Sequence, residues 1–239
     1  MIYLSIVIPA YNEEKRIGDT LDKIYEFLKT KSYDYEVIVI DDGSRDKTVS
    51  VANESRLARI KKLKVLTNGS NRGKGFSVKR GIMNSGGDCI LFSDADMSTP
   101  IEELDRLLNC MKQGYDIVIG SRSVDESDIR TRQPIYREFM GKIFNFFVKM
   151  LLSIEFSDTQ CGFKLFSARA AKEIAALMKI EGFSFDVEML YLAKMKNYKI
   201  KEIGVIWNNS PHSKVKVMSS SIDMFFSLFM IRKLHKDTK

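Results

Sequence analysis

Histidine is almost missing from this 239-residue chain: His212 and His235 are the only two, and both come late. An imidazole base is therefore left out of the expected chemistry. Cysteine is nearly as scarce. Cys89, Cys110 and Cys161 are odd in number and widely spaced. That argues against a disulfide framework and a zinc site, and fits a reducing compartment. Long hydrophobic runs are also lacking, since no window approaches the roughly 18 apolar residues of a membrane span. The apolar start MIYLSIVIP is broken by Pro9 and has no basic segment before it, so it reads as a strand and not a signal peptide. There are no internal repeats, low-complexity segments or clear linkers, and the length suits one large domain or one domain with an elaborated end.

What is present is ordinary in amount and uneven in placement. Apolar residues make up 44% and charged residues 29%, as in a globular protein. The net charge is +7. Residues 1–120 hold 18 basic and 18 acidic side chains, while residues 121–239 hold 20 and 13. The second half carries the whole excess, and an anionic partner belongs there.

Through the first 120 residues, short apolar runs alternate with helical stretches. The runs are YLSIVIP, YEVIVID, LKVLTN, DCILFSD and YDIVIGS. In the first helical stretch Ile17, Leu21, Ile24 and Leu28 form one apolar face. This pattern predicts an α/β fold with a mostly parallel central sheet flanked by helices. In such sheets ligands bind beyond the carboxyl ends of the strands. Those ends carry Pro9 to Glu13, Asp41-Asp42-Gly43-Ser44, Asn68, Asp94-Ala95-Asp96 and Ser121-Arg122.

Asp94 and Asp96 stand two residues apart at a strand tip, where an extended chain points both the same way. A divalent cation would relieve their repulsion. In DDGSRDKT the glycine allows a tight turn, and Ser44 or Asp46 is expected to cap the next helix. Asp41 and Asp42 there can accept hydrogen bonds from ribose hydroxyls or a base edge. NGSNRGKGFSVKRG is glycine-rich without Walker spacing. A helix starting near Gly73 would present free N–H groups to an anion.

Beyond residue 122 the pattern changes. The basic loop ESDIRTRQP precedes a strongly apolar segment in which Lys142, Asn145 and Lys149 make a narrow polar stripe. The C-terminal SIDMFFSLFMIRKLHK is similar. Both suit helices that are either buried or lie on a membrane surface. Core packing, or a homodimer formed through them, is the alternative.

IVIPAYNEE, VIVIDDGSRDKT, NRGKGFSVKRG, FSDADMSTP, GSR and DTQCGFKLF follow one another in this order. Together they resemble the family 2 glycosyltransferases of GT-A fold, over about residues 4 to 215. The branch most similar is that of the dolichyl-phosphate or polyprenyl-phosphate β-glucosyltransferases. The resemblance implies a catalytic domain over 1–215, with a nucleotide-sugar half (1–121) and an acceptor half (122–215), followed by an amphipathic helix over 216–239. It implies that Pro9, Tyr11, Glu13, Asp41, Asp42, Lys74 and Asp94 hold the nucleotide sugar, with Lys214 of a late Ser-Lys element closing over the pyrophosphate. Asp94 and Asp96 match the D-x-D pair that binds Mg²⁺ or Mn²⁺. Relatives that transfer mannose have Gln where Ser98 stands here, so no third protein ligand is implied. Arg122, Arg132 and Arg137 match basic positions facing an acceptor phosphate, and Asp158 falls where many members carry a catalytic acid or base.

The implied activity is inverting transfer of a hexose, glucose by the branch, from a UDP-sugar to polyprenyl phosphate. It would occur at the cytoplasmic face of a membrane, by peripheral attachment. A soluble family 2 enzyme extending a surface glycan, with Asp158 as base to a sugar hydroxyl, is the second reading. A nucleotidyltransferase would need a basic glycine-rich loop after the first strand, where PAYNEEKRIG stands. A nucleic-acid binder would leave the converging acids unexplained, because acids repel phosphates unless a metal intervenes.

Overall fold

The structure, a computed structural model, describes residues 1–131, 134–209 and 217–236. In chain order the first half runs β1 (Leu4–Ala10), α1 (Ile17–Leu28), β2 (Tyr35–Asp41), α2 (Thr48–Asn53), α3 (Arg56–Arg59), β3 (Leu63–Thr67), α4 (Lys74–Met83), β4 (Cys89–Ser93), α5 (Leu104–Lys112) and β5 (Ile117–Ser121). The second half continues with β6 (Asp128–Thr131), α6 (Ile135–Leu152), β7 (Phe163–Ser167), α7 (Ala168–Leu177), α8 (Phe185–Met195), β8 (Ile200–Gly204), β9 (Ile206–Asn208) and α9 (Val217–Leu234).

The five apolar runs of the first half are β1 to β5. They join β7 and β8 in one sheet of order β3-β2-β1-β4-β7-β5-β8, and β6 pairs with β9 in a separate ribbon. The main sheet is parallel except for β7, which runs antiparallel to both β4 and β5. Both faces are covered, which is why β1, β2, β4 and β5 are buried along their whole length. On one face α1 brings down Ile17, Leu21, Ile24 and Leu28, and α5 brings Leu104, Leu107 and Leu108. On the other, α4, α6, α7, α8 and α9 contribute Val78, Phe144, Ile174, Leu190 and Leu228 to one continuous core.

The antiparallel strand shapes the functional edge. Ser93 at the end of β4 pairs with Phe163 at the start of β7. The stretch 158–162 therefore lies at the same sheet edge as the tips of β1, β2, β4 and β5. Strands from both halves of the chain share this sheet, and the edge draws residues from both.

Helices α6 and α9 each combine a buried face with an exposed apolar one. Each buries one face: Phe144, Val148 and Leu152 on α6, and Leu228 and Ile231 on α9. They pack on each other, with the Phe147 and Phe225 rings 4.9 Å apart. Outside that contact, Ile135, Tyr136, Phe139, Phe146 and Met150 of α6 and Phe226, Phe229 and Met230 of α9 are exposed. Lys142, Lys149, Arg232 and Lys233 are exposed beside them. Asn145 departs from the predicted polar stripe. Its amide turns inward and donates to the Phe156 and Ser157 carbonyls. Among the described residues no helix is long and apolar enough to cross a membrane.

Candidate active site

A cleft of about 410 Å³ opens beyond the tips of β1, β2 and β4. Its volume lies in the range of small-molecule sites. Pro9, Tyr11, Glu13, Asp42, Lys74, Asp94 and Asp96 line it together. These are seven of the eight donor-site candidates among the described residues; the ninth candidate, Lys214, lies outside them.

The turn after β4 does not follow the expected extended geometry. β4 ends at Ser93. Asp94 to Met97 form a tight turn closed by Met97 N–H donating to Asp94 O at 3.2 Å, with Met97 in the left-handed region at φ 48°. The turn, and not strand pleating, brings both acids to the cleft. Burial, then the charge of Asp94, raises the Asp96 acid above the ordinary carboxylate value, against the Ser98 N–H and the Arg16 charge. Two carboxylates facing one cleft with mutual repulsion are a hard-oxygen donor set that suits Mg²⁺ or Mn²⁺. Among the described residues no cluster of three or more His, Cys, Asp and Glu side chains is arranged to hold a metal.

Asp94 is held from two sides. Lys74 Nζ stands 2.6 Å from its Oδ1. Burial works against the Lys74 ammonium, but Asp94, Asp186 and Asp96 outweigh it and raise its pKa. On the other side, Gly162, just before β7, has no side chain. A Cβ there would meet Asp94 Oδ2 at 1.9 Å, so a glycine is required for the carboxylate to lie where it does.

The glycine-rich segment wraps onto Asp42. Its carboxylate accepts from Asn68 Nδ2 at 2.7 Å and from the Arg72 and Gly73 N–H groups at 2.9 Å. Gly73, at φ 106°, precedes α4, so the helix begins where the sequence placed it. Asp41 is not part of the cleft lining. It accepts from Ser44 N–H and shapes the turn. The expected cap of α2 is also different for Ser44, whose hydroxyl accepts from Asn12 N–H. Asp46 does reach the helix start, accepting from Thr48 N–H. Glu13 lies in the cleft in a fork with Arg16.

Beside this cleft, at the tip of β5, Arg122 and Asp158 form a two-pronged pair, with Nε 2.6 Å from Oδ2 and Nη2 2.9 Å from Oδ1. Arg122 N–H adds a third bond to Oδ2. Burial alone would raise Asp158, but Arg122 reverses this and holds the acid at about 2. Glu202 fixes the loop from behind by accepting from the Ser157 and Asp158 N–H groups. Arg137 sits on the first turn of α6. Its Nε is buried and has no hydrogen-bond partner among the described residues, a donor suited to an anion's oxygen. Arg132 lies outside the described residues.

Arg16, Asn71, Ser77, Gly182 and Phe183 also line the cleft and were not among the sequence candidates. Arg16 had a signal, three residues after Glu13 on a helix entry. Phe183 had none.

The chain belongs to the family 2 glycosyltransferases: residues 5–175 match the model described as Glycosyl transferase family 2. Within that class it is similar to proteins named dolichyl-phosphate beta-glucosyltransferase. The one from Dictyostelium discoideum is 40% identical over 97% of this chain and 74% of its own. The human one is 36% identical over 96% and 74%. The GT-A fold is shared with a solved glucosyl-3-phosphoglycerate synthase of Mycobacterium tuberculosis, in complex with Mn²⁺, UDP-glucose and glycerol 3-phosphate. That match has a TM-score of 0.72 at 18% identity, over 97% of this chain and 80% of the other. Mannosyl-3-phosphoglycerate synthase from Rubrobacter xylanophilus aligns with a TM-score of 0.71 at 18% identity, over 99% and 75%.

Proposed function

We propose that this enzyme transfers glucose, with inversion, from UDP-glucose to a polyprenyl or dolichyl phosphate presented by a membrane. The observation that carries this reading is the joining of an acid-lined donor cleft to a separate pair, Arg122 and Asp158, in which the carboxylate is already neutralised. The similarity to dolichyl-phosphate beta-glucosyltransferases over almost the whole chain supports the sugar and the acceptor.

The donor's nucleoside would lie along the tips of β1 and β2, against Tyr11, Glu13 and Asp42. Asp94 and Asp96 would hold a divalent cation, and when bound that cation neutralises the charge growing on the departing diphosphate. Lys74 adds a positive charge on the same side. The acceptor phosphate oxygen attacks the anomeric carbon from the face opposite the diphosphate. The bond to the diphosphate breaks, UDP leaves with the electron pair, and configuration inverts.

A phosphate acceptor is already an anion and loses no proton. This agrees with an Asp158 held at about 2 by Arg122, a poor base near neutral pH. A sugar-hydroxyl acceptor would need that base, so the pairing disfavours the soluble alternative. Arg122 and the buried Nε of Arg137 are suited to orient the phosphate. The exposed apolar rows of α6 and α9, flanked by lysines and arginines, fit peripheral attachment to an anionic bilayer. Incubating the protein with Mn²⁺, polyprenyl phosphate and a panel of nucleotide sugars tests the reading. UDP-glucose should be the consumed donor and a glucosylated lipid phosphate the product; transfer only to water or to a free sugar would overturn it.

A further inference from the structure

One buried carboxylate ties the end of the C-terminal helix to the wall of the donor cleft. Glu188, on the first turn of α8, is fully buried. Its Oε1 accepts from Lys179 N–H at 2.8 Å and its Oε2 from Ile180 N–H at 2.9 Å. His235, just past α9 and equally buried, brings Nε2 to 2.7 Å from the same Oε1. With its proton on Nε2, the imidazole donates to that oxygen. Lys179 closes the loop from its side, its Nζ donating to Leu234 O at 2.8 Å.

The segment gripped by Glu188 reaches the donor site directly. Glu181 O accepts from Gly75 N–H at 2.7 Å and Phe76 N–H at 3.2 Å, at the start of α4. Arg72 pairs with the Glu181 carboxylate at 2.8 Å. The fit is close enough that a Cβ on Gly73 would meet Glu181 O at 2.3 Å, and one on Gly75 would meet Ile180 O at 2.4 Å. Gly182 and Phe183 then line the cleft itself. The wall is thus pinned between the glycine-rich segment held by Asp42 and the Glu188 and His235 pair.

We infer that Glu188 and His235 are positioning residues for donor binding: the seating of the C-terminal helix sets the Ile180–Phe183 wall and, through it, the glycine-rich segment that receives the nucleotide. This rests on the cleft being the UDP-sugar site. Coupling is reciprocal, so nucleotide binding also tightens the helix end.

The test is UDP titration with Mn²⁺, together with donor and acceptor KM, on the wild type, His235→Ala and His235→Gln. His235→Ala should weaken UDP and raise the donor KM by at least about five-fold, leave the acceptor KM within a factor of about two, and be largely rescued by His235→Gln, whose amide can donate to Glu188. Hydrogen exchange on the wild type is the second measurement. UDP should slow the amides of 179–184 and also those of 231–236, at the far end of the link. Equal shifts in both KM values, unchanged UDP affinity in a folded His235→Ala, or protection confined to the cleft would overturn the inference. A wild type that binds no UDP would instead sink the donor-site assignment, and this link with it.

Discussion

Arg122 and Asp158 grip each other through two parallel bonds of 2.6 and 2.9 Å at the tip of β5. That geometry supports our reading that Asp158 aims the guanidinium and transfers no proton. Asp158→Asn should therefore impair acceptor use by misplacing Arg122. The measurement is steady-state kinetics with both substrates varied. A rise in acceptor KM with little change in donor KM is expected, whereas a loss confined to kcat, with an acidic limb removed from the pH profile, would restore the base role.

The same pair predicts a dependence of stability on pH. The folded acid sits at about 2, below its ordinary value. A depressed carboxylate contributes stability that is full above its unfolded pKa and is lost as pH falls through the folded one. The window is therefore between about pH 4 and pH 2, and the contribution is about 2 kcal/mol. Urea midpoints across that range should fall less steeply in Asp158→Asn than in the wild type; equal slopes would refute it.

Asp96→Asn should reduce transfer roughly 100-fold or more with the melting temperature nearly unchanged, because a half-buried, repelled carboxylate is removed along with its proposed metal. Mn²⁺ binding, followed by electron paramagnetic resonance with UDP present, should weaken in parallel. Full activity of this variant, or of the wild type in EDTA, would contradict metal dependence.

Gly162→Ala places a methyl 1.9 Å from Asp94 Oδ2. The carboxylate must move, so activity should fall by more than stability, for which overpacking costs about 1–3 kcal/mol. Comparing kcat/KM with the unfolding midpoint checks this; normal activity would mean that Asp94 has freedom the packing denies it.

Much of this was written in local patterns. Val- and Ile-rich runs marked β1 to β5 because a parallel sheet covered on both faces needs apolar side chains in both directions. Four apolar positions marked the inner face of α1. The strand tips then pointed to the cleft, since parallel strands end at one edge. β7 was not legible. FKLFS has no property that announces insertion between β4 and β5, and its Lys164 is fully buried beside Asp186. Without that strand, the closeness of Gly162 to Asp94 and of Asp158 to Arg122 cannot be foreseen. The ion pair of Lys74 with Asp94 and the wall carrying Phe183 are likewise long-range facts. For α6 and α9 the sequence left burial and membrane contact as alternatives, and the helices are wide enough in apolar surface to bury one face while exposing another.

That exposed surface should hold the protein to anionic vesicles. Phe139→Glu with Phe146→Glu replaces two exposed aromatics and should move the protein from the floated to the soluble fraction at moderate salt, leaving UDP affinity unchanged. Equal flotation of variant and wild type would show that this face does not meet the bilayer.

The most direct measurement of the central claim is sugar transfer in a single reaction containing labelled UDP-glucose, Mn²⁺, vesicle-borne polyprenyl phosphate and a water-soluble sugar acceptor in competition. The account predicts that label enters the lipid fraction as a β-linked glucosyl phosphate, that EDTA stops it, and that the soluble sugar stays unlabelled. Label entering the soluble sugar while the lipid phosphate remains untouched would contradict it.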